Sequence, residues 1–211
     1  FDEQRYVTIP VEDKTANELL TSVVQAVTVE AWVFADSLEG QGGWKMVVTH
    51  WANQPGKYHL AVRDGIPQFG VTTNQGIATA LSPKVLETYS WYHLAGVYDG
   101  SSVKIYVDGV LEGTVPHSGT LVTSDSWLVG IGSKHTLEYG WTGLIDEVRI
   151  SSIARTAEEL SPNLAEPSLN LIVIPDPNLR AALEKALGKN EGDSITHAEL
   201  KTLTSFNANK S

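Results

Sequence analysis

Residues 141–150 read Trp-Thr-Gly-Leu-Ile-Asp-Glu-Val-Arg-Ile, and they set an acidic side chain where an alternating strand calls for hydrocarbon. Successive side chains of a strand point to opposite faces. Leu144, Asp146, Val148 and Ile150 therefore share one face, and Ile145, Glu147 and Arg149 the other. The first set is apolar except for Asp146, which predicts an inward-facing carboxylate. A lone ionised carboxylate on a buried face is costly unless a hydrogen bond, a counter-charge or a metal ion meets it. Arg149, a lysine or backbone amides would meet that demand, and so would a metal.

A second set of candidates is aromatic. Trp44, Trp51 and Trp141 stand beside Gly-rich turns, with Tyr58, Tyr139, His50, His93 and His135 nearby in sequence. Exposed aromatic faces stack on flat apolar ligand surfaces such as sugar rings, while amides such as Asn53 and Gln54 fix orientation. Trp44, Trp51, Trp141 and His135 are the candidate ligand-binding residues, although the three Trp residues suit a core or loop-anchoring role equally well. Trp32 and Trp91 fit a core. No two histidines have the close spacing of a zinc site.

Catalytic constellations are not apparent. Asp146 and Glu147 are adjacent, so on a strand they face opposite ways and cannot flank one glycosidic bond. No Gly-x-Ser-x-Gly elbow marks a nucleophile. The run from Gly188 to Glu199 has the outline of an EF-hand loop, but glycines occupy two ligand positions and Asp193 replaces the turn glycine, so it reads as a connection between helices. The chain is expected not to be an enzyme.

Composition narrows the classes further. A formal net charge of −10 disfavours a nucleic-acid surface. Cysteine is absent, which removes disulfides, thiolate metal sites and cysteine nucleophiles. No apolar run approaches the roughly 18 residues that would span a bilayer, so membrane insertion is not expected. The start at Phe1 reads as a cut boundary, which leaves targeting open.

The elements that must position these residues are strands. Residues 27–34 alternate, with Val27, Val29, Ala31 and Val33 on one face. Residues 58–62 and 68–72 flank Asp64-Gly65, a hairpin turn pair; 91–98, 103–107 and 111–115 follow, joined by Asp99-Gly100 and Asp108-Gly109. Segments 128–131 and 144–150 complete a meander, and only residues 16–20 suggest a helical turn. Many short strands with Gly-rich turns predict an all-β fold, an antiparallel sandwich or barrel. Beyond Ile153 the pattern changes. Thr156 and Glu159 form a capping box, and 161–170 is a Pro-, Asn- and Ser-rich linker. Asp176, Pro177 and an apolar stripe through Leu187 predict a helix ended by Gly188, and Thr196 with Glu199 opens a shorter one to about Leu203.

With the strands in place, residues 1–160 resemble the laminin-G-like jelly-roll family of the concanavalin-A-like superfamily. The resemblance is carried by Phe1-Asp2 with Tyr6-Val7, by Val-Thr-Val-Glu-Ala-Trp-Val at 27–33, by Trp-Tyr-His-Leu-Ala-Gly-Val-Tyr-Asp-Gly at 91–100, by Val-Lys-Ile-Tyr-Val-Asp-Gly at 103–109 and by Gly-Leu-Ile-Asp-Glu-Val-Arg-Ile at 143–150. It implies a two-sheet antiparallel jelly roll, usually non-catalytic, that binds glycans or surface proteins outside the cell. It also implies a structural calcium ion held by Asp2 and Asp146 with backbone carbonyls completing an oxygen shell. The Glu-x-Asp-x-x-Glu strand of laminarinase-like relatives is missing, which leaves hydrolysis the weaker expectation. Residues 171–211 are similar to the helical cap that opens bacterial internalin-type leucine-rich repeats, through Ile-Pro-Asp-Pro-Asn-Leu-Arg-Ala-Ala-Leu at 174–183, Ile-Thr-His-Ala-Glu-Leu at 195–200 and Leu-Thr-Ser-Phe-Asn-Ala at 203–208. That likeness implies leucine-rich repeats as a partner within the same chain. A spacer that merely positions such repeats is the alternative function.

Overall fold

The computed structural model describes residues 7–9, 25–51, 56–122, 128–134, 139–160, 177–193, 195 and 200. Its two compact units are residues 1–165 and 166–211. The first is an all-β sandwich. Its strands are Val7–Ile9 (β1), Val27–Ser37 (β2), Trp44–Trp51 (β3), Tyr58–Arg63 (β4), Ile66–Thr73 (β5), Gly76–Leu81 (β6), Trp91–Tyr98 (β7), Ser102–Val107 (β8), Val110–Pro116 (β9), Leu128–Ile131 (β10) and Thr142–Ser151 (β11). The larger sheet has six strands in the order β1-β10-β3-β4-β5-β6, and the smaller has five in the order β11-β2-β7-β8-β9. All neighbouring strands pair antiparallel.

Alternation explains the core. Val27, Val29, Ala31, Val33 and Ala35 of β2 enter it, as do Val103, Ile105 and Val107 of β8. From the larger sheet come Tyr58, Leu60 and Val62 of β4 and Phe69 and Val71 of β5. The intervening residues of β2 and β7 face the other way, where Trp32, Phe34 and Trp91 form a separate buried cluster. The expectation that Trp32 and Trp91 are interior holds, in this second layer rather than the main one.

The hairpins follow their turn residues. Asp64 and Gly65 both take positive φ, 51° and 79°, as do Asp108 and Gly109, 51° and 76°, which matches the twist of two-residue hairpin loops. After β11, the helix Ala157–Leu160 (α1) is opened by the predicted capping box: the Thr156 amide donates to Glu159 Oε2 at 2.8 Å, and the Glu159 amide donates to Thr156 Oγ1 at 3.4 Å. Leu160 then buries with Ala95, Val97 and Tyr106 on the outer face of the smaller sheet.

Strand β11 departs from simple alternation. Asp146 pairs with Trp32 and Arg149 with Glu30, so three steps on β11 oppose two on β2. Glu147 absorbs the extra residue at φ 48°, a β-bulge. Ile145 before the bulge and Val148 and Ile150 after it pack on the core. Leu144 lies opposite Phe34 on the outer face, and Asp146 joins it there, partly exposed. The expected inward carboxylate at Asp146 is therefore corrected. Its Oδ1 accepts a 2.8 Å hydrogen bond from the Glu147 amide that the bulge frees.

In the second unit, the predicted helix spans Pro177–Ala186 (α2) and closes at Gly188, φ 68°, with the Lys189 amide donating to the Glu184 carbonyl at 2.8 Å. The following loop is held by its own hydrogen bonds. Asp193 Oδ2 accepts from the Asn190 amide at 2.9 Å, and Glu184 Oε1 accepts from the Gly192 amide at 3.0 Å. The helices expected around residues 16–20 and from Thr196 to Leu203 fall outside the described residues, apart from Leu200.

Candidate ligand-binding groove

Three turns meet at one end of the sandwich and are tied by backbone hydrogen bonds of 2.8 Å each. The Asp64 amide donates to the Gly43 carbonyl, the Leu86 amide to Gly65 and the Tyr89 amide to Ala35. The fit of the first pair depends on glycine. Gly43 has φ 76°, and a Cβ there would lie 1.9 Å from Asp64 Oδ1, so the carboxylate rests directly against the bare backbone. Between the turns runs a groove of about 660 Å³, within the range of small-molecule sites. Its polar lining includes Asp36, Ser37, Glu39, Asp64 and Thr88, and its apolar lining includes Leu38 and Val85. Tyr89, 54 % exposed, stands at its edge with its ring 6.2 Å from Phe34. Tyr89 also holds φ 59°, an uncommon left-handed conformation for a bulky residue.

Trp44 begins β3 immediately after Gly43 and is half-buried on the outer face of the larger sheet. The Arg63 guanidinium lies 5.1 Å over its ring, and His59 and Tyr139 approach at 5.8 and 6.3 Å. Arg63 Nε is also 3.8 Å from Asp64 Oδ2, which links this aromatic strip to the groove. Burial pushes the His59 imidazole down to about 4. Its ring lies against Gly70, where a Cβ would come within 2.2 Å of Cε1.

The other expected site residues disperse. Trp141 is fully buried, and its Nε1–H donates to the Phe34 carbonyl at 3.2 Å, so it anchors the core and presents no face to a ligand. Its neighbouring glycines signal the tight entry into β11 rather than exposure. Trp51 contributes its backbone to β3 opposite Leu128; its side chain, His135 and Asp2 lie outside the described residues. Tyr58, His50 and His93 are buried. Among the described residues no three His, Asp or Glu gather as a metal site.

Among the described residues of the sandwich the buried acid is Glu30, with no exposed surface. Arg149 Nε binds one carboxylate oxygen and His93 Nε2 lies 3.2 Å from the other. Burial alone would raise the Glu30 carboxyl, but the hydrogen bonds and charges of His93 and Arg149 prevail and hold it below its usual value. Sequence reasoning missed Glu30 because it lies on the outer face of β2, which alternation marks as exposed. The groove residues were missed for a related reason: Asp64-Gly65 was legible as a turn, but which turns meet was not.

A family model described as the concanavalin A-like lectin/glucanases superfamily matches residues 1–161. No curated protein sequence matches the chain. Among solved structures, a heptameric SAP-like pentraxin from Limulus polyphemus is 18 % identical, with 67 % of this chain and 70 % of that one covered and a TM-score of 0.53. A putative carbohydrate binding protein from Bacteroides ovatus is 22 % identical, over 65 % of this chain and 40 % of its own, with a TM-score of 0.54. Domain 4 of AbnA, an extracellular GH43 arabinanase from Geobacillus stearothermophilus solved with arabinotriose, is 20 % identical over 68 % of each chain, with a TM-score of 0.53. At these identities the likeness establishes the shared fold.

Proposed function

We infer that this chain, which belongs through residues 1–161 to the concanavalin A-like lectin/glucanases superfamily, is a non-catalytic module that binds a glycan in the groove at the end of its sandwich. The observation that carries this reading is the groove itself, an open cleft whose edge presents the exposed ring of Tyr89 beside hydroxyls and carboxylates. A flat aromatic face covers the C–H surface of a sugar, while Ser37, Thr88 and the acids can engage its hydroxyls. The names of two solved relatives, a carbohydrate binding protein and a domain in complex with arabinotriose, support the same reading. Trp44, joined to the groove through Arg63 and Asp64, would extend the contact to further sugar units.

The test is a glycan array followed by calorimetry with wild type and Tyr89→Asn. Asparagine accepts the left-handed backbone at this position while removing the ring, so the fold is retained. Loss of one base-stacking-sized aromatic contact should weaken binding at least tenfold, which corresponds to about 1.4 kcal/mol. Silence across a broad array, or equal affinity in the variant, overturns the reading. Release of reducing ends from a bound oligosaccharide would overturn its non-catalytic part.

Within this reading the module works outside the cell or at its surface, and residues 171–211 open a leucine-rich-repeat region. No helix among the described residues is long and apolar enough to cross a membrane. A calcium ion shared by Asp2 and Asp146 belongs to the same proposal. The outward carboxylate of Asp146 is a hard oxygen donor of the kind calcium takes, although backbone carbonyls would have to supply most of the shell. Added calcium should raise the melting temperature of wild type but not of Asp146→Asn; an unchanged wild-type melting curve removes the ion from the proposal.

A further inference from the structure

We propose that the groove selects glycans bearing protonated amines, amino sugars with free ammonium groups, over neutral and anionic ones. This rests on the groove being a glycan site, and it adds the chemical class of the sugar. The charged groups lining the groove are Asp36, Glu39 and Asp64, with no lysine, arginine or histidine among the lining residues. Among the described residues neither Asp36 nor Glu39 takes part in an ion pair.

One cation stands beside the groove: Lys45 packs its stem against Gly40 and donates to Thr142 Oγ1 at 3.0 Å, opposite Ser37. The other cations near it in sequence are engaged elsewhere. Arg63 reaches Asp64 only at 3.8 Å, with both side chains more than half exposed, and its guanidinium lies over the Trp44 ring. Such a surface pair neutralises little. Lys84 is held 2.8 Å from Asp108 and 4.9 Å over the Tyr92 ring. Three carboxylates thus line the groove against the one buried ammonium of Lys45 at its side, which leaves a negative potential there, and the net charge of −10 has the same sign. The exposed face of Tyr89 adds a second attraction, because the face of an aromatic ring draws a cation. An ammonium group gains from both, a neutral acetamide from neither, and a uronate or sulfate is repelled.

Calorimetry below neutral pH decides the matter with three probes: a glucosamine tetramer, its fully N-acetylated counterpart and a galacturonate tetramer. The expected result is that the glucosamine tetramer binds about tenfold more tightly than the N-acetylated form at low salt. That preference should shrink at high salt, as screening of exposed charges requires. It should also shrink in Asp36→Asn/Glu39→Gln, and binding should be lost in Tyr89→Asn. Equal binding of the first two probes, with both still abolished by Tyr89→Asn, would overturn the charge selection and leave the groove a glycan site. Glucosamine binding that neither the carboxylate nor the Tyr89 variant alters is general attraction to an acidic protein, and it overturns the proposal. Absence of binding by any glycan overturns both readings together.

Discussion

A hydrogen atom at the Cα of Gly96 is all that separates β7 from the Phe69 ring on the facing sheet. A Cβ built there would lie 2.1 Å from two atoms of that ring, and Phe69 is fully buried. The ring cannot withdraw without opening a void, and the backbone cannot withdraw without breaking the pairing of β7 with β2 and β8. Gly96→Ala is therefore expected to destabilise the sandwich by about 2–3 kcal/mol, the upper range for overpacking. Urea unfolding measures this, and Gly96→Ala combined with Phe69→Leu should recover part of the loss. Nothing in the residues around Gly96 forecasts this, since a glycine inside Leu-Ala-Gly-Val-Tyr reads as a weak point in a strand rather than as a seat for a ring 27 positions away in the chain.

At the level of elements, the bulge in β11 decides which acid is buried and what satisfies it. Without the extra residue at Glu147, Arg149 would turn toward the core and Asp146 and Val148 would share a face. With it, Arg149 stands opposite Glu30 on the outer layer and supplies the counter-charge a buried carboxylate needs. Alternation along β11 predicts Asp146 as the buried acid, with its partner left open among Arg149, a lysine, amides and a metal; the fold buries Glu30 instead and sets Arg149 against it. A bulge leaves little trace in an alternating pattern, whereas it changes the face of every residue that follows. Arg149→Ala removes the guanidinium that meets the buried Glu30 carboxylate and should cost about 3 kcal/mol. The measurement is a denaturant midpoint, and the double variant Arg149→Met/Glu30→Gln should be less damaged than the single one. Equal stability of wild type and Arg149→Ala would show that the pair contributes nothing.

For the molecule as a whole, the buried and paired titratable groups make stability fall in one direction, toward acid, below neutral pH. Burial lowers the His59 imidazole from 6.5 to about 4, so between those values the unfolded chain binds a proton that the folded chain refuses. Stability is then fully present above the unfolded value and falls as pH drops through that window. Glu30 and Asp99 add to the loss at lower pH. Asp99 is held below its usual value, against burial, by hydrogen bonds from Lys104, Ser101 and Ser102, so its contribution fades once pH falls below its ordinary value of 3.8. Melting temperatures recorded downward from neutral pH should decline first in the histidine window, by up to about 3 kcal/mol in stability. His59→Gln should flatten that upper part and leave the carboxylate-driven fall in place. A wild-type curve that is level from neutrality to about pH 4 would overturn the assignment to His59.

Short-range chain chemistry is enough to give the all-β class, the hairpins at Asp64-Gly65 and Asp108-Gly109, the capping box at Thr156 and the helix ended by Gly188. Each of these depends on neighbours along the chain: alternation, positive φ and local hydrogen bonds act over a few residues. Tertiary structure decided that Trp141 is interior, that Glu30 rather than Asp146 is the buried acid, and that the turns carrying Gly43, Asp64 and Tyr89 enclose a groove. Those outcomes depend on which distant segments meet and on one inserted residue in β11, and neither is encoded in the local pattern on which a reading of the sequence relies.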